Sequence, residues 1–381
     1  MLTPEEIFLH LLIPGKPHQE LGKELVPADW YTILALAEFH RVQPLILRQV
    51  QDLPIDEESR EYLATASRAA AANTLLLLNE LEYLAQEFAR KKITPILLKG
   101  PLLAKALWGE PTCRESHDLD ILIPPDQLMN TLDIFEEMGY KEATPFPSNA
   151  RKRYLAHRYH LELYHPQRNT VIELHWAIMP PFLKFDFPPI AELWADRYSE
   201  PLNDYNRTFR VFKPDFNFIF LLLHAYRHGW EVLAWVMDPY YVQRHYQLDW
   251  EKLRELATSL GMERVFIQFL ALLQHIDQQC VGGDLRLTER EKRFIAHLVE
   301  HWFHFSYLDS RFKLYQIYAK GLRPRDQLYF WLYLLFMPTT ADLEWCFVPQ
   351  PLSFLYTVLR PVRLLRELIA GRGKDAPFNE L

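Results

Sequence analysis

Residues 98–123 read LKGPLLAKALWGEPTCRESHDLDILI and decide our interpretation of the fold. They continue a short apolar strand pattern, ITPILL, that begins at Ile93. Lys99-Gly100-Pro101 then turns the chain into a short helix that runs to about Trp108, and HDLDILI follows as the next strand. The order strand, turn, helix, strand predicts the start of an α+β unit.

Two aspartates lie two residues apart in the second of these strands. Because side chains alternate along a strand, Asp118 and Asp120 leave the same face, roughly 7 Å apart. Two such carboxylates are costly unless a cation lies between them, and oxygen ligands of this kind bind Mg²⁺. A third acid, Glu173, is expected on a neighbouring strand, VIELHW. A solvated surface pair is the alternative for the D-x-D motif alone, and the third acid favours a metal site.

The remainder of the chain has mainly helical patterns. Residues 57–92 lack Gly and Pro and predict one long helix. The segments HRYHLELYH and TVIELHW predict a β-hairpin, and helical patterns resume at about Pro180. We therefore expect an α+β fold with a small mixed-sheet core at 93–178, large helical regions at 1–92 and 179–370, and a disordered tail at 371–381.

The composition is typical of a globular protein. The 381 residues carry a formal net charge of −7, and 49% of them are apolar. An acidic balance disfavours non-specific nucleic-acid binding. Three scattered cysteines suit a reducing compartment. Neither a signal-peptide pattern nor a membrane-spanning stretch is found, so the sequence predicts a cytoplasmic location.

These motifs resemble those of the polymerase-β-type nucleotidyltransferase superfamily. Within it, an LKG turn, an arginine, a D-x-D strand and an ELHW strand in this order are similar to a bacterial nucleotidyltransferase-like family. The resemblance extends along most of the chain, through HAYRHGW, LDWEKLRELA and LRPVRLLREL. The residues that carry the motifs are Leu98, Lys99, Gly100, Arg114, Asp118, Asp120, Glu173, Leu174, His175 and Trp176.

The resemblance implies transfer of a nucleoside monophosphate from an NTP, ATP being one candidate, to an acceptor hydroxyl. Asp118 and Asp120 would bridge two Mg²⁺ or Mn²⁺ ions, and Glu173 would hold one ion and help to deprotonate the acceptor. One alternative is a nucleotide-binding or scaffold protein that has the fold without turnover. Another is a metal-dependent HD phosphohydrolase, because His117 precedes Asp118, although those enzymes present the pair on helices.

Three residues of the first turn and loop are candidates for contact with the nucleotide. Gly100 allows close approach of a phosphate at a helix N-terminus, and Lys99 and Arg114 would neutralise the phosphates. Alternatively, Lys99 points to solvent and Arg114 forms an ion pair with an aspartate. The superfamily has Gly-Ser or Gly-Gly after the first strand, whereas this chain has Gly100-Pro101, which lacks the serine hydroxyl.

Three histidines and Asp238 are candidates for the acceptor pocket. His175 shares the face of Glu173, and His224 and His228 lie one turn apart on a helix that precedes Asp238. A buried, hydrogen-bonded role is the structural alternative for all three histidines. A zinc site is a further alternative for His224 and His228, but the motif lacks a third ligand.

The segment LSFLYTVLRPVRLLREL at residues 352–368 combines apolar residues with Arg360, Arg363 and Arg366. Peripheral contact with a membrane or a partner protein is one interpretation. We favour the other, a helix that packs on the protein's own core with its arginines extended to solvent. The remaining expected partners are a nucleotide and an unidentified acceptor.

Overall fold

A computed structural model of the chain describes residues 2–14, 27–143, 155, 158–277, 285–305, 311–349, 352 and 354–369. The tail predicted to be disordered, 371–381, lies outside these residues. The fold is α+β, as the sequence predicted. Its strands are β1 (Ile96–Leu97), β2 (Leu119–Leu122), β3 (Lys141–Glu142), β4 (His160–His165), β5 (Thr170–His175), β6 (Ser199–Pro201) and β7 (Arg210–Phe212).

The seven strands form one mixed sheet in the order β3-β4-β5-β2-β1-β7-β6. The predicted hairpin is confirmed, since β4 and β5 pair antiparallel. β2 runs parallel to β5 and antiparallel to β1. This arrangement puts the D-x-D strand at the centre of the sheet, beside the strand that carries Glu173.

The sheet extends beyond residue 178, into the region 179–370 that the sequence predicted to be helical. β7 pairs with β1, and β6 pairs with β7. The expectation of helices throughout that region is therefore wrong for these two strands. Each has three residues, which is too short for an alternating pattern to stand out.

Helices make up most of the described chain. The predicted long helix is confirmed as α4, in which Asp56 caps the first turn by accepting a hydrogen bond from the Ser59 amide. The helices that precede the sheet or lie within it are α1 (Pro4–Leu11), α2 (Pro27–Phe39), α3 (Gln43–Gln49), α4 (Glu57–Lys91), α5 (Pro101–Trp108) and α6 (Leu128–Glu137).

The helices that follow the sheet begin with α7, which is buried over most of its surface. They are α7 (Pro214–Arg227), α8 (Leu233–Tyr246), α9 (Trp250–Ser259), α10 (Glu263–Ile276), α11 (Glu289–His301), α12 (Arg311–Gly321), α13 (Pro324–Phe336), α14 (Thr340–Trp345) and α15 (Leu355–Ile369).

The two faces of the sheet have different chemical character. Leu119, Ile121 and Ile123 are buried in a cluster with the second half of α4 and with α6. The opposite face of β2 carries the acids and faces the larger core to which α7 and α8 belong. The apolar face of the sheet therefore packs on α4 and α6, and the acidic face lies on the side of α7 and α8.

α15 packs on the protein through its polar side. Arg360 and Arg363 are buried and pair with Asp342 of α14, at 2.8 and 2.6 Å. Val358 and Val362 are exposed instead. The expectation that the arginines extend to solvent is wrong for Arg360 and Arg363, because the Asp342 carboxylate compensates their burial. It is confirmed for Arg366, which is exposed. Contact of this segment with a membrane or a partner stays a prediction. No helix in the described part of the chain is both long and apolar enough to cross a bilayer.

Candidate active site

The acids of the site lie on the central strands of the sheet. β2 and β5 pair in a register that puts Asp120 directly beside Glu173. Asp118 immediately precedes β2 and is two residues from Asp120, so it shares the same face. Only 2% of the Asp120 side chain is exposed, whereas about a quarter of Asp118 and of Glu173 is accessible. Asp120 therefore forms the closed end of a site that opens towards the other two carboxylates.

Lys99 lies among these acids. Its Nζ is 2.6 Å from Asp120 Oδ2 and 3.3 Å from Asp118 Oδ1, and 9% of the side chain is exposed. The alternative in which Lys99 points to solvent is therefore wrong. Burial acts to lower the pKa of Lys99, but the charges of Asp120 and Asp118 outweigh it and raise the pKa above its usual range. Lys99 is a protonated counter-ion of the acid pair.

His175 extends the acid cluster along β5. Its Nε2 is 3.4 Å from Asp120 Oδ1 and 3.3 Å from Glu173 Oε2. These are contact distances without hydrogen-bond geometry, and neither ring nitrogen has a hydrogen-bond partner. The ring stacks on His160, with centroids 5.1 Å apart. The position of His175 on the Glu173 face agrees with the alternation of β5.

One group of side chains in the described part of the chain brings its ligand atoms close enough to hold a metal ion. The atoms of Asp120, Glu173 and His175 lie within 4.8 Å of one another. The sequence instead predicted Asp118, Asp120 and Glu173. Asp118 is on the same face but is in contact with Lys99, and His175 takes the third place in the group.

The electrostatics of the cluster favour an ionised Glu173. Burial acts to raise the pKa of Glu173, but the contact with His175 and the charge of Lys99 lower it to about 2. Burial acts to lower the pKa of His175, but the Asp120 and Glu173 carboxylates raise it above the ordinary value. Glu173 is therefore ionised at neutral pH and is a better ligand than proton acceptor.

The turn before α5 has a backbone conformation that favours glycine. Gly100 caps α5 with φ 93° and ψ −152°, a backbone region that glycine alone adopts easily. Pro101 occupies the first helical position, as predicted. Since proline has no N–H group, this helix start offers one amide fewer to a phosphate.

Arg114 and Asp238 form a buried ion pair. Arg114 Nε is 2.9 Å from Asp238 Oδ1, and Nη2 is 2.8 Å from Oδ2. The pair joins the loop before β2 to α8. The sequence left open an ion pair between Arg114 and an aspartate, and the structure shows one with Asp238. Asp238 was predicted to line the acceptor pocket, and its partner Arg114 was not part of that prediction. The role of Arg114 in nucleotide binding stays a prediction.

The predicted acceptor histidines lie at the end of α7. The rings of His224 and His228 are 4.6 Å apart, and His228 lies 4.3 Å from the Trp235 ring. Burial, together with Arg227 and Lys99, lowers the pKa of His228 to about 3, so the ring is neutral. His224 is buried, and its Nε2 has no hydrogen-bond partner.

The two alternative metal-binding interpretations find no support here. Among the described residues, the group able to hold a metal does not include His224 or His228, so the zinc interpretation lacks a third ligand. The His117 side chain is more than half exposed and its Nε2 lies 2.5 Å from Glu115 Oε1. His117 therefore pairs on the surface and does not join Asp118 in a phosphohydrolase centre.

Acid-bearing strands in a mixed sheet, preceded by a strand, a glycine turn and a helix, define a nucleotidyltransferase type of protein. The chain belongs to the family described as "Uncharacterised nucleotidyltransferase", whose model matches residues 27–276. This confirms the resemblance drawn from the motifs. Membership supports nucleotidyl transfer in general and leaves the substrates open.

No curated protein matches the chain. One similar solved structure is an antigenic nucleotidyltransferase-like protein from Paracoccidioides brasiliensis. It is 15% identical and covers 58% of this chain and 91% of its own, with a TM-score of 0.32.

Proposed function

We propose that the protein is a metal-dependent nucleotidyltransferase that transfers a nucleoside monophosphate from an NTP to an acceptor hydroxyl. The observation that carries this proposal is the direct register of Asp120 and Glu173 on adjacent parallel strands, with Asp118 on the same face. Three acids on one partly enclosed face create a local negative charge that a divalent cation would neutralise.

The donor set suits a divalent ion. Both His175 ring nitrogens are buried without hydrogen bonds, and buried polar atoms of this kind normally have partners. Asp118, Asp120 and Glu173 would hold Mg²⁺ or Mn²⁺, and His175 adds an imidazole that Mn²⁺ accepts more readily than Mg²⁺. When bound, such an ion neutralises the phosphate oxygens and makes the α-phosphorus easier to attack.

The chain's own residues would orient the reactants. Gly100 lets the backbone approach the triphosphate at the start of α5, and Lys99 lies next to that turn. The acceptor oxygen forms a bond to the α-phosphorus while the bond to the β-phosphate oxygen breaks, so pyrophosphate leaves. Glu173, with its pKa lowered to about 2, acts as a ligand and leaves the hydroxyl proton to another acceptor.

The end of α7 would form the acceptor side of the site. Arg227 packs over the Tyr159 ring at 4.5 Å and donates a hydrogen bond to the Ile178 carbonyl. The charges of Glu173 and Asp120 act to raise the pKa of His228, so this neutral imidazole lies in the neighbourhood of the acids. A neutral ring can donate one hydrogen bond and accept another, which suits an uncharged hydroxyl acceptor.

The first test measures the melting temperature with Mg²⁺ and each NTP in turn. We expect at least one NTP to raise it, because a ligand that binds the folded state stabilises that state. Asp120→Asn should abolish the shift, whereas Asp126→Asn, at an exposed acid outside the site, should leave it intact. Wild-type protein that no NTP stabilises would contradict the proposal.

A catalytically silent nucleotide-binding protein is the second candidate. The observation in its favour is Pro101, which removes one phosphate-binding amide from the turn. The two candidates differ in turnover, so the second test follows pyrophosphate release with cell extract as the source of acceptor. A nucleotide-dependent thermal shift without pyrophosphate release or a labelled product would favour the silent protein.

A further inference from the structure

Lys99 has a position that the proposed chemistry does not explain. Its ammonium group contacts both aspartates of the D-x-D motif, at 2.6 and 3.3 Å, inside the space where a metal ion would be held. A divalent ion bound through the same oxygens would lie within a few ångströms of the ammonium. Two cations at that separation repel each other strongly in a partly buried site.

We propose that Lys99 is a built-in counter-ion that blocks the metal site until a nucleotide arrives, and that the triphosphate then draws Lys99 away from the aspartates. This inference rests on the proposed function and adds a regulation to it. Metal and nucleotide would bind with positive coupling, and the metal alone would bind weakly.

A bound triphosphate would offer the Lys99 ammonium an alternative anionic partner. Lys99 directly precedes Gly100, which caps the N-terminus of α5. A triphosphate bound at that turn would present three or more anionic oxygens to an ammonium on a long, flexible side chain. The exchange would satisfy Lys99 with phosphate and free the oxygens of Asp118 and Asp120.

The neighbouring cation cannot take over this role. Arg114 interacts electrostatically with Asp118 and Asp120, but its guanidinium is held by three hydrogen bonds to Asp238. His175 touches Asp120 from the other side, through Oδ1. Removal of Lys99 would therefore leave Asp120 Oδ2 and Asp118 available to a metal.

The experiment measures Mn²⁺ binding by the loss of the free-ion electron paramagnetic resonance signal, without nucleotide. We expect Lys99→Met to bind Mn²⁺ about 10-fold more tightly than the wild type. Lys105→Met is the matched control, because Lys105 pairs with Asp204 on the surface and should leave the affinity unchanged. Unchanged or weaker Mn²⁺ binding in Lys99→Met would overturn the inference.

Thermal melting of the same variants provides a second readout. Without Lys99 the acids repel each other, so Lys99→Met should melt lower than the wild type and recover more with Mn²⁺. Lys99→Gln, which keeps a hydrogen-bond donor, should show the same pattern if the methionine variant does not fold. A Lys99→Gln variant that Mn²⁺ fails to stabilise more than the wild type would also refute the inference.

Failure of this inference can be separated from failure of the proposed function. Asp120→Asn in the Lys99→Met background should lose the tight Mn²⁺ binding, which tests the site itself. If the wild type responds to an NTP but Lys99→Met shows no gain in Mn²⁺ affinity, the counter-ion role fails and nucleotidyl transfer stands. If neither responds to any NTP, the proposed function fails.

Discussion

The ion pair between Arg114 and Asp238 gives the most direct test of how the sheet and the helices are joined. The two side chains are 8% and 2% exposed and meet through three hydrogen bonds of 2.8, 2.9 and 3.3 Å. Asp238→Leu would leave the Arg114 guanidinium buried without its carboxylate. Breaking a buried pair in this way costs about 3–5 kcal/mol, a large part of the roughly 5–15 kcal/mol that stabilises an ordinary protein.

The assay is urea unfolding of the wild type and three variants in a double-mutant cycle. Arg114→Met combined with Asp238→Leu replaces both charges with apolar side chains and should recover most of the loss, because no unpaired charge remains. Lys105→Ala serves as the control. It removes the Lys105–Asp204 pair, whose side chains are about half exposed, and should change the free energy of unfolding by about 1 kcal/mol or less.

The outcome also decides between two roles for Arg114. If Asp238→Leu costs less than about 1 kcal/mol, the pair does not hold the loop, and the reasoning from burial is wrong. Arg114 would then be free to contact a nucleotide, as the sequence predicted. If the loss is large and the double variant still responds to an NTP, Arg114 acts in structure alone.

Three further predictions concern the turn, a core histidine and the third acid. Gly100→Ala should cost about 1–3 kcal/mol in urea unfolding, since a residue with a Cβ is strained at φ 93° and ψ −152°, whereas Gly109→Ala, in the milder left-handed helical region, should cost roughly 1 kcal/mol. His40 is buried, its Nε2 donates to the Trp302 carbonyl, and burial lowers its pKa to about 4. The folded pKa lies below the unfolded value of roughly 6.5, so stability is lost as pH falls from 6.5 towards 4, by about 1.4 kcal/mol per unit. Urea unfolding at pH 7 and pH 5 should show a smaller loss in His40→Gln than in the wild type, and an equal loss would contradict this cause. Glu173→Gln should lower kcat about 100-fold or more in a pyrophosphate-release assay while leaving the fold intact, as the far-ultraviolet circular dichroism spectrum would report.

The acids could be predicted from the sequence because their placement depends on local periodicity. The period of two along β2 and β5 places Asp118 and Asp120 on one face and Glu173 on the matching face of the neighbouring strand. The apolar residues between them identify the other face as core. The same rule located His175 beside Glu173, although the sequence favoured a hydrogen-bonded structural role for it.

The cations could not be placed in this way. Lys99 follows a strand of two residues, which is too short to define a face, so solvent and acid cluster were equally consistent with the pattern. Arg114 and its partner are 124 positions apart, and no local rule pairs them. The strands β6 and β7 were not predicted because they, too, are too short to show an alternating pattern.

The arrangement of charges bears on the choice between an enzyme and a silent protein. Asp120 is almost fully buried and depends on Lys99 and His175 to offset its charge. Apolar residues in place of such a cluster are often neutral or stabilising, so a protein that only needed the fold would gain from replacing it. Active sites often keep residues that lower the stability of the fold, because activity requires them. The buried acids, rather than the turn with its missing amide, are therefore the stronger guide to what the protein does.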